Sequence, residues 1–144
     1  MNTYTLRIDD GDGYSAEVAI SGNINLYGLA EHIIDTIGFD FDHAFGFYDN
    51  LKNPYESSEK YTLFADMGEG SEDEASVQRT LIEEVFEPKK QMVFLFDYGD
   101  DWQFLLTCVN AQAATTKRKI RRILTEKGEP PIQYPDFEEE EDDI

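Results

Sequence analysis

Apolar and polar positions alternate with period two through Tyr4, Leu6 and Ile8 and again through Tyr14, Ala16, Val18 and Ile20, either side of the link Asp9-Asp10-Gly11-Asp12-Gly13. Successive strand side chains point to opposite faces, so this pattern predicts a hairpin with one buried face. From Leu26 the period lengthens. Leu26, Leu29, Ala30, Ile33 and Ile37 fall on one side of a helical circle, with Gly28, Glu31 and Asp35 opposite. A main helix over about 26–37 follows, with Asn25 as N-cap and Gly38 as the left-handed residue that ends it. Aromatic residues then crowd Phe39 to Tyr48, with a strand expected from Ala44 to Tyr48. Residues 49–60 read as loop, Lys60 to Phe64 as a short strand, and Asp66 to Ala75 as a mobile acidic loop. Thr80-Leu81-Ile82-Glu83 has the form of a capping box, opening a short second helix over about 81–87 that Pro88 closes.

The longest apolar block, Met92 to Val109, holds the only Trp and flanks Gly99-Asp100-Asp101 with two aromatic and branched runs. That composition predicts a second hairpin, over about 92–109. A two-residue loop at Gly99-Asp100 would mix polar and apolar groups on both faces. A three-residue loop, Gly99 to Asp101, pairs Tyr98 with Trp102, Phe96 with Phe104, Phe94 with Leu106 and Met92 with Cys108, and makes one face wholly apolar. Asp101 must then adopt a left-handed conformation, which Asp tolerates better than most residues. The other face is also largely apolar, with Val93, Leu95 and Leu105, so the hairpin is expected at the centre of the sheet. The fold class that emerges is α+β: a single domain, mostly antiparallel, with a central hairpin packed by one main helix and one short one.

Three ordered blocks resemble a known family. The run Phe94-Leu95-Phe96-Asp97-Tyr98-Gly99-Asp100-Asp101-Trp102 is similar to the hallmark of the plasmid pRiA ORF-3-like family, also met as passenger proteins of an insertion element. Upstream, Leu26-Tyr27-Gly28-Leu29-Ala30-Glu31-His32-Ile33-Ile34 resembles its first helix, followed by Phe39, His43 and Phe45. Downstream, Lys127-Gly128-Glu129-Pro130-Pro131-Ile132-Gln133-Tyr134-Pro135 resembles its closing segment. Where the family often carries a Trp-Arg pair, this chain has Tyr14-Ser15-Ala16-Glu17-Val18. The resemblance implies an α+β fold with a mostly antiparallel sheet over residues 1–135, and it implies no activity.

Charge narrows the partners. With 31 acidic and 12 basic residues the net charge is −19, which repels nucleic-acid phosphate and anionic membrane at long range. Glu138 to Asp143 is an unbroken acidic run, and residues 136–144 are expected to form a disordered tail. One cysteine excludes an internal disulfide, and the N-terminus lacks the basic and apolar regions of a secretion signal, so a soluble cytoplasmic protein is expected.

Chemistry is sparse. No Walker loop, G-x-S-x-G elbow, H-E-x-x-H or Cys pair is present. EF-hand spacing from Asp10 fails, because Tyr14 and Ser15 fall where a ligand and the turn glycine belong. A nuclease motif at Pro135-Asp136 lacks its lysine. The candidate binding surface is the acidic hairpin tip with its aromatic neighbours: Asp97, Tyr98, Asp100, Asp101 and Trp102, joined by His43 and Tyr134. No cofactor and no metal is expected. A divalent cation, if bound, would take Asp97, Asp100, Asp101 and His43, a hard donor set suited to magnesium, manganese or calcium. The plainer reading is that these aspartates cap backbone N–H groups and that His43 fixes its turn. His32, on the flank of the helical stripe, reads as a partly exposed imidazole. Lys117, Arg118, Lys119, Arg121 and Arg122 form the one basic cluster, following a small-polar link at Asn110 to Thr116. It reads as a nucleic-acid contact or as an element edge neutralised by the acidic body. Three functions remain: a non-enzymatic interaction module with an unknown protein partner, linked to mobile elements; a divalent-metal hydrolase or nuclease; and a weak nucleic-acid binder.

Overall fold

The alternating segments assemble into one eight-stranded sheet in a computed structural model that describes residues 1–135. The expected acidic tail, 136–144, lies outside the described residues. In chain order the strands are β1 Asn2–Asp9, β2 Ser15–Ser21, β3 Phe45–Tyr48, β4 Lys60–Thr62, β5 Glu74–Ser76, β6 Gln91–Phe96, β7 Trp102–Ala113 and β8 Arg121–Lys127. Their spatial order is β5-β4-β3-β6-β7-β1-β2-β8, antiparallel throughout except between β4 and β5. The β6–β7 hairpin is therefore central, as its two apolar faces require. Helix α1, Leu26–Ile37, covers one face, and α2 Leu63–Asp66 and α3 Ile82–Val85 are single turns.

α1 is bounded as its sequence demands. The Asn25 side chain accepts the Gly28 N–H at 2.8 Å, and Gly38, at φ 88°, donates to the Ile34 carbonyl at 2.9 Å. Leu26, Leu29, Ala30, Ile33 and Ile37 join a core built from the inward residues of β1, β2, β3, β6 and β7, six of them phenylalanines counting Phe39 from the loop after α1. The β1–β2 hairpin pairs Tyr4 with Ile20, Leu6 with Val18 and Ile8 with Ala16, so both apolar stripes share one face.

The central hairpin keeps its faces but not its expected register. Phe96 pairs with Trp102, Phe94 with Phe104 and Met92 with Leu106, two positions away from the alignment read off the sequence. The cause is Asp97, which leaves the strand at φ 63° and gives its N–H to the Ala44 carbonyl at 2.9 Å, lengthening the loop to Asp97–Asp101. A two-residue shift preserves the side-chain parity, so Met92, Phe94, Phe96, Phe104 and Leu106 still face the core. Asp101 is left-handed, φ 56°, as expected. Cys108 lies opposite Lys90, not Met92, and is buried, which pushes its thiol pKa up to about 11.

Four further expectations are corrected. The link from Asn110 is strand as far as Ala113, because β1 extends alongside it past a bulge at Thr5/Leu6. Asp66 to Ala75 contains β5 and the end of α2, tied by the Asp66 carboxylate to the Ser76 hydroxyl and the Val77 N–H. The second helix is shorter than expected and its cap is one residue later: Glu84, not Glu83, reaches back to the Leu81 N–H at 2.7 Å, while Thr80 bonds the Ser76 carbonyl. His32 is buried, its Nε2 3.2 Å from the Arg122 carbonyl, because β8 covers that flank of α1. Burial lowers its pKa, with the Arg122 carbonyl opposing the shift. Among the described residues no helix is long and apolar enough to cross a membrane.

Candidate functional site

Three segments far apart in sequence meet at the tip of the central hairpin. The first is the loop after α1, whose Phe39 and Phe41 pack into the aromatic core and leave Asp40, Asp42 and His43 at its rim. The second is the tip itself. Asp97 is 5% exposed, and its Oδ1 accepts the N–H groups of Gly99 at 3.1 Å and Asp100 at 3.2 Å, while its carbonyl accepts the Asp101 N–H. The third is the closing segment. Gln133 accepts the Asp40 N–H at 2.7 Å and donates to the Asp40 carbonyl and to Asp42 Oδ1, and the Tyr134 hydroxyl donates to Asp42 Oδ2 at 2.7 Å.

His43 joins the three. Its Nδ1 lies 2.7 Å from Asp42 Oδ1 and its Nε2 lies 3.5 Å from Asp97 Oδ2, so a carboxylate faces each ring nitrogen. The hydrogen bond to Asp42, then the charges of Asp97, Asp42 and Asp100, raise its pKa. The Tyr134 hydrogen bond, then that of His43, lowers the pKa of Asp42, and donating to Asp42 pushes the Tyr134 hydroxyl up to about 12. While it is protonated, His43 has no lone pair with which to take a proton or bind a metal. The arrangement is a polar clasp, with each charged group answered by another.

The remaining sequence candidates are dispersed. Tyr98 lies on the far side of the tip, hydroxyl to hydroxyl with Tyr48 at 2.6 Å. Trp102 stacks along Phe104 and meets Phe39 edge-on, and its buried indole N–H has no partner among the described residues. Asp100 and Asp101 are exposed, and Asp101 accepts from Gln103 at 2.9 Å. Among the described residues no group of three or more His, Cys, Asp or Glu side chains is arranged to hold a metal ion. Gln133 escaped notice because one glutamine carries no pattern. Its only signal was its place in the closing segment.

A second feature lies along β8. Among the described residues this strand pairs only with β2, leaving its other edge without a strand partner, and all seven of its residues are exposed. Lys117, Arg118 and Lys119 lead into it, and Arg121 and Arg122 begin it. Arg121 is 3.8 Å from Glu31 of α1. A bulge opposite Glu17/Val18 breaks the ladder around Leu124. Between β8 and α1 runs a groove of about 540 Å³ whose apolar floor is Ile34, Phe39, Phe41 and Ile123 and whose rim is Glu31, Asp35 and Arg121.

The model of the family described as plasmid pRiA4b ORF-3-like protein matches residues 15–134. The chain belongs to that family. The match takes in the main helix, the central hairpin and the closing segment, so the clasp is made wholly of family residues. No curated protein matches this member. Among solved structures, a protein of unknown function from Methanosarcina mazei Go1, MM3350, is similar with a TM-score of 0.71 at 13% identity, over 90% of this chain and 71% of that one. At that identity the likeness is one of fold.

Proposed function

We propose that this member of the plasmid ORF-3-like family is a non-enzymatic interaction module, linked to the mobile elements its family name evokes, and that β8 is its contact edge. The partner is an extended protein segment carrying acidic side chains, added as a further strand. One observation carries this reading: a fully exposed edge strand, with Ile123 and Leu124 at its middle and five bases at or before its start, beside an apolar groove. An open edge offers a row of unpaired N–H and C=O groups, and strand addition uses them for affinity while side chains select the partner. The bases and the bulge protect that edge against indiscriminate pairing. An acidic segment turns the same bases from a barrier into an attraction. Nucleic acid is the weaker occupant, since a polymer of phosphates meets the whole −19 body as well as the strip.

The test is a photo-crosslinking amino acid at position 124 or at position 100 in the producing cell. A discrete protein adduct from position 124, lost on Arg121→Glu with Arg122→Glu, supports the reading. Adducts with DNA, or with protein from position 100 alone, overturn it.

A second reading, a divalent-metal hydrolase at the tip, is favoured by one observation, the approach of His43 to Asp97 at 3.5 Å. A metal there would bind the neutral imidazole and stabilise the native state by mass action. Absence of any magnesium, manganese or calcium effect on melting removes it.

A further inference from the structure

On the sheet face opposite α1, beside β3, four aromatic rings surround a pocket of about 240 Å³. Tyr48 alternates with Phe45 and Phe47 and so points away from the core that they enter. Its ring is 6.3 Å from that of Tyr55 at 56°, and Tyr98 is 4.9 Å from Phe64 at 47°. The Tyr48–Tyr98 hydroxyl contact locks the two pairs together. Gly46 makes this arrangement feasible: a Cβ there would sit 2.8 Å from the Tyr48 ring and 2.8 Å from the Tyr98 oxygen. Tyr55 is 57% exposed on the 3-10 turn Pro54–Glu56, over the mouth of the pocket.

One carboxylate lines the same pocket. Glu74 accepts from the Ser71 N–H at 2.7 Å and from the Thr62 hydroxyl at 2.8 Å, both neutral donors. Burial opposes its ionisation, but these bonds outweigh it and its pKa is lowered. Lys60 also borders the pocket, with its ammonium given to Asp73 at 2.9 Å.

The geometry points to an aromatic cage for an alkylated ammonium head group. Ring faces carry negative quadrupole charge and attract a poorly hydrated cation, and a nearby carboxylate adds to that attraction. Anions are excluded by Glu74 and by the −19 body, which concentrates cations around the protein. A guanidinium or a bare ammonium needs several acceptors, and here it would have to share Glu74 with Thr62 and Ser71 and the tyrosine hydroxyls with each other. A quaternary ammonium needs none. The volume is below that of ordinary ligand pockets, which suits a head group and not a whole molecule. Choline-type metabolites and trimethylated lysine both present this group.

Binding is read by NMR of the tyrosine rings and by thermal shift, using tetramethylammonium, choline, Nε-trimethyllysine, lysine and 3,3-dimethylbutanol, the neutral isostere of choline. The expected result is binding of the methylated cations roughly tenfold tighter than the neutral isostere, with lysine weaker still. Choline or trimethyllysine binding the tighter then names the source. Tyr55→Ala, at an exposed ring, weakens the cations roughly tenfold without lowering the melting temperature, and Glu74→Gln abolishes the preference over the isostere. Equal binding of choline and the isostere, or no ring shifts with any cation, overturns the assignment. This site is independent of β8, so either proposal can fail alone.

Discussion

Around His43 the side chains of Asp42, Asp97 and Tyr134 are answered by one another, whereas along β8 the outer backbone edge meets no further strand among the described residues. Both regions carry concentrated charge and both drew attention in the sequence. The difference is in what the charge does. At the clasp, Asp42, Asp97, Gln133 and Tyr134 tie three loops together and set a carboxylate against each ring nitrogen of His43. At β8, the charges guard an edge that remains available. A cluster of ionisable residues is thus a poor sign of function until its partners are known.

The largest expected effect lies at the clasp. Asp97→Ala removes the acceptor for two loop N–H groups and a carboxylate facing His43, and should destabilise by about 1–3 kcal/mol in chemical denaturation. A loss below half of that would mean that the tip holds itself without the clasp.

The two histidines sharpen the contrast next through pH. His43 holds its proton more tightly folded than unfolded, so its contribution is complete below about pH 6.5 and is lost as pH rises through its higher folded pKa. His32 has the opposite sign. Its folded pKa is depressed, so stability falls as pH drops from about 6.5 through that lower value. Melting followed across the neutral range should lose its alkaline-side slope in His43→Gln and keep its acid-side slope. An unchanged alkaline slope would detach His43 from the clasp.

Much of the fold was legible because burial enforces parity. Tyr4, Leu6 and Ile8, or Phe94 and Phe96, can face the core in only one phase. Register was not, since a two-residue slip keeps the phase, and what decides it is Asp97 bonding to Ala44, a contact between distant segments. β8 was invisible as a strand because it buries no residue and its bulge at Leu124 breaks any alternation. At the site, His43 and the acidic tip were visible as residue types. His43 and Tyr134 were grouped with the tip as one candidate surface, but the bonds that join them were not legible, because Gln133 and the Asp40–Asp42 loop supply them and Gln133 carries no local pattern.

Smaller effects separate the regions further. Leu124→Asp, at an exposed position, should change stability by no more than about 0.5 kcal/mol, against the larger loss at Asp97. A fall of several kcal/mol would mean that β8 is structural and not a contact edge. Magnesium, manganese or calcium should leave the melting temperature nearly unchanged, because the carboxylates of the clasp are already committed. A rise that vanishes in Asp97→Asn would restore the hydrolase reading.

The most direct measurement is an amide-detected NMR titration of the full chain with two synthetic peptides of equal β-propensity, one alternating Glu with Val and the other Lys with Val. Shifts are expected only at Arg121–Lys127 and the groove residues Ile34, Phe39 and Phe41 with the acidic peptide, suppressed by salt and absent with the basic one. Equal response to both peptides, no response in β8, or the largest shifts at Asp97 to Trp102 would contradict strand addition at β8.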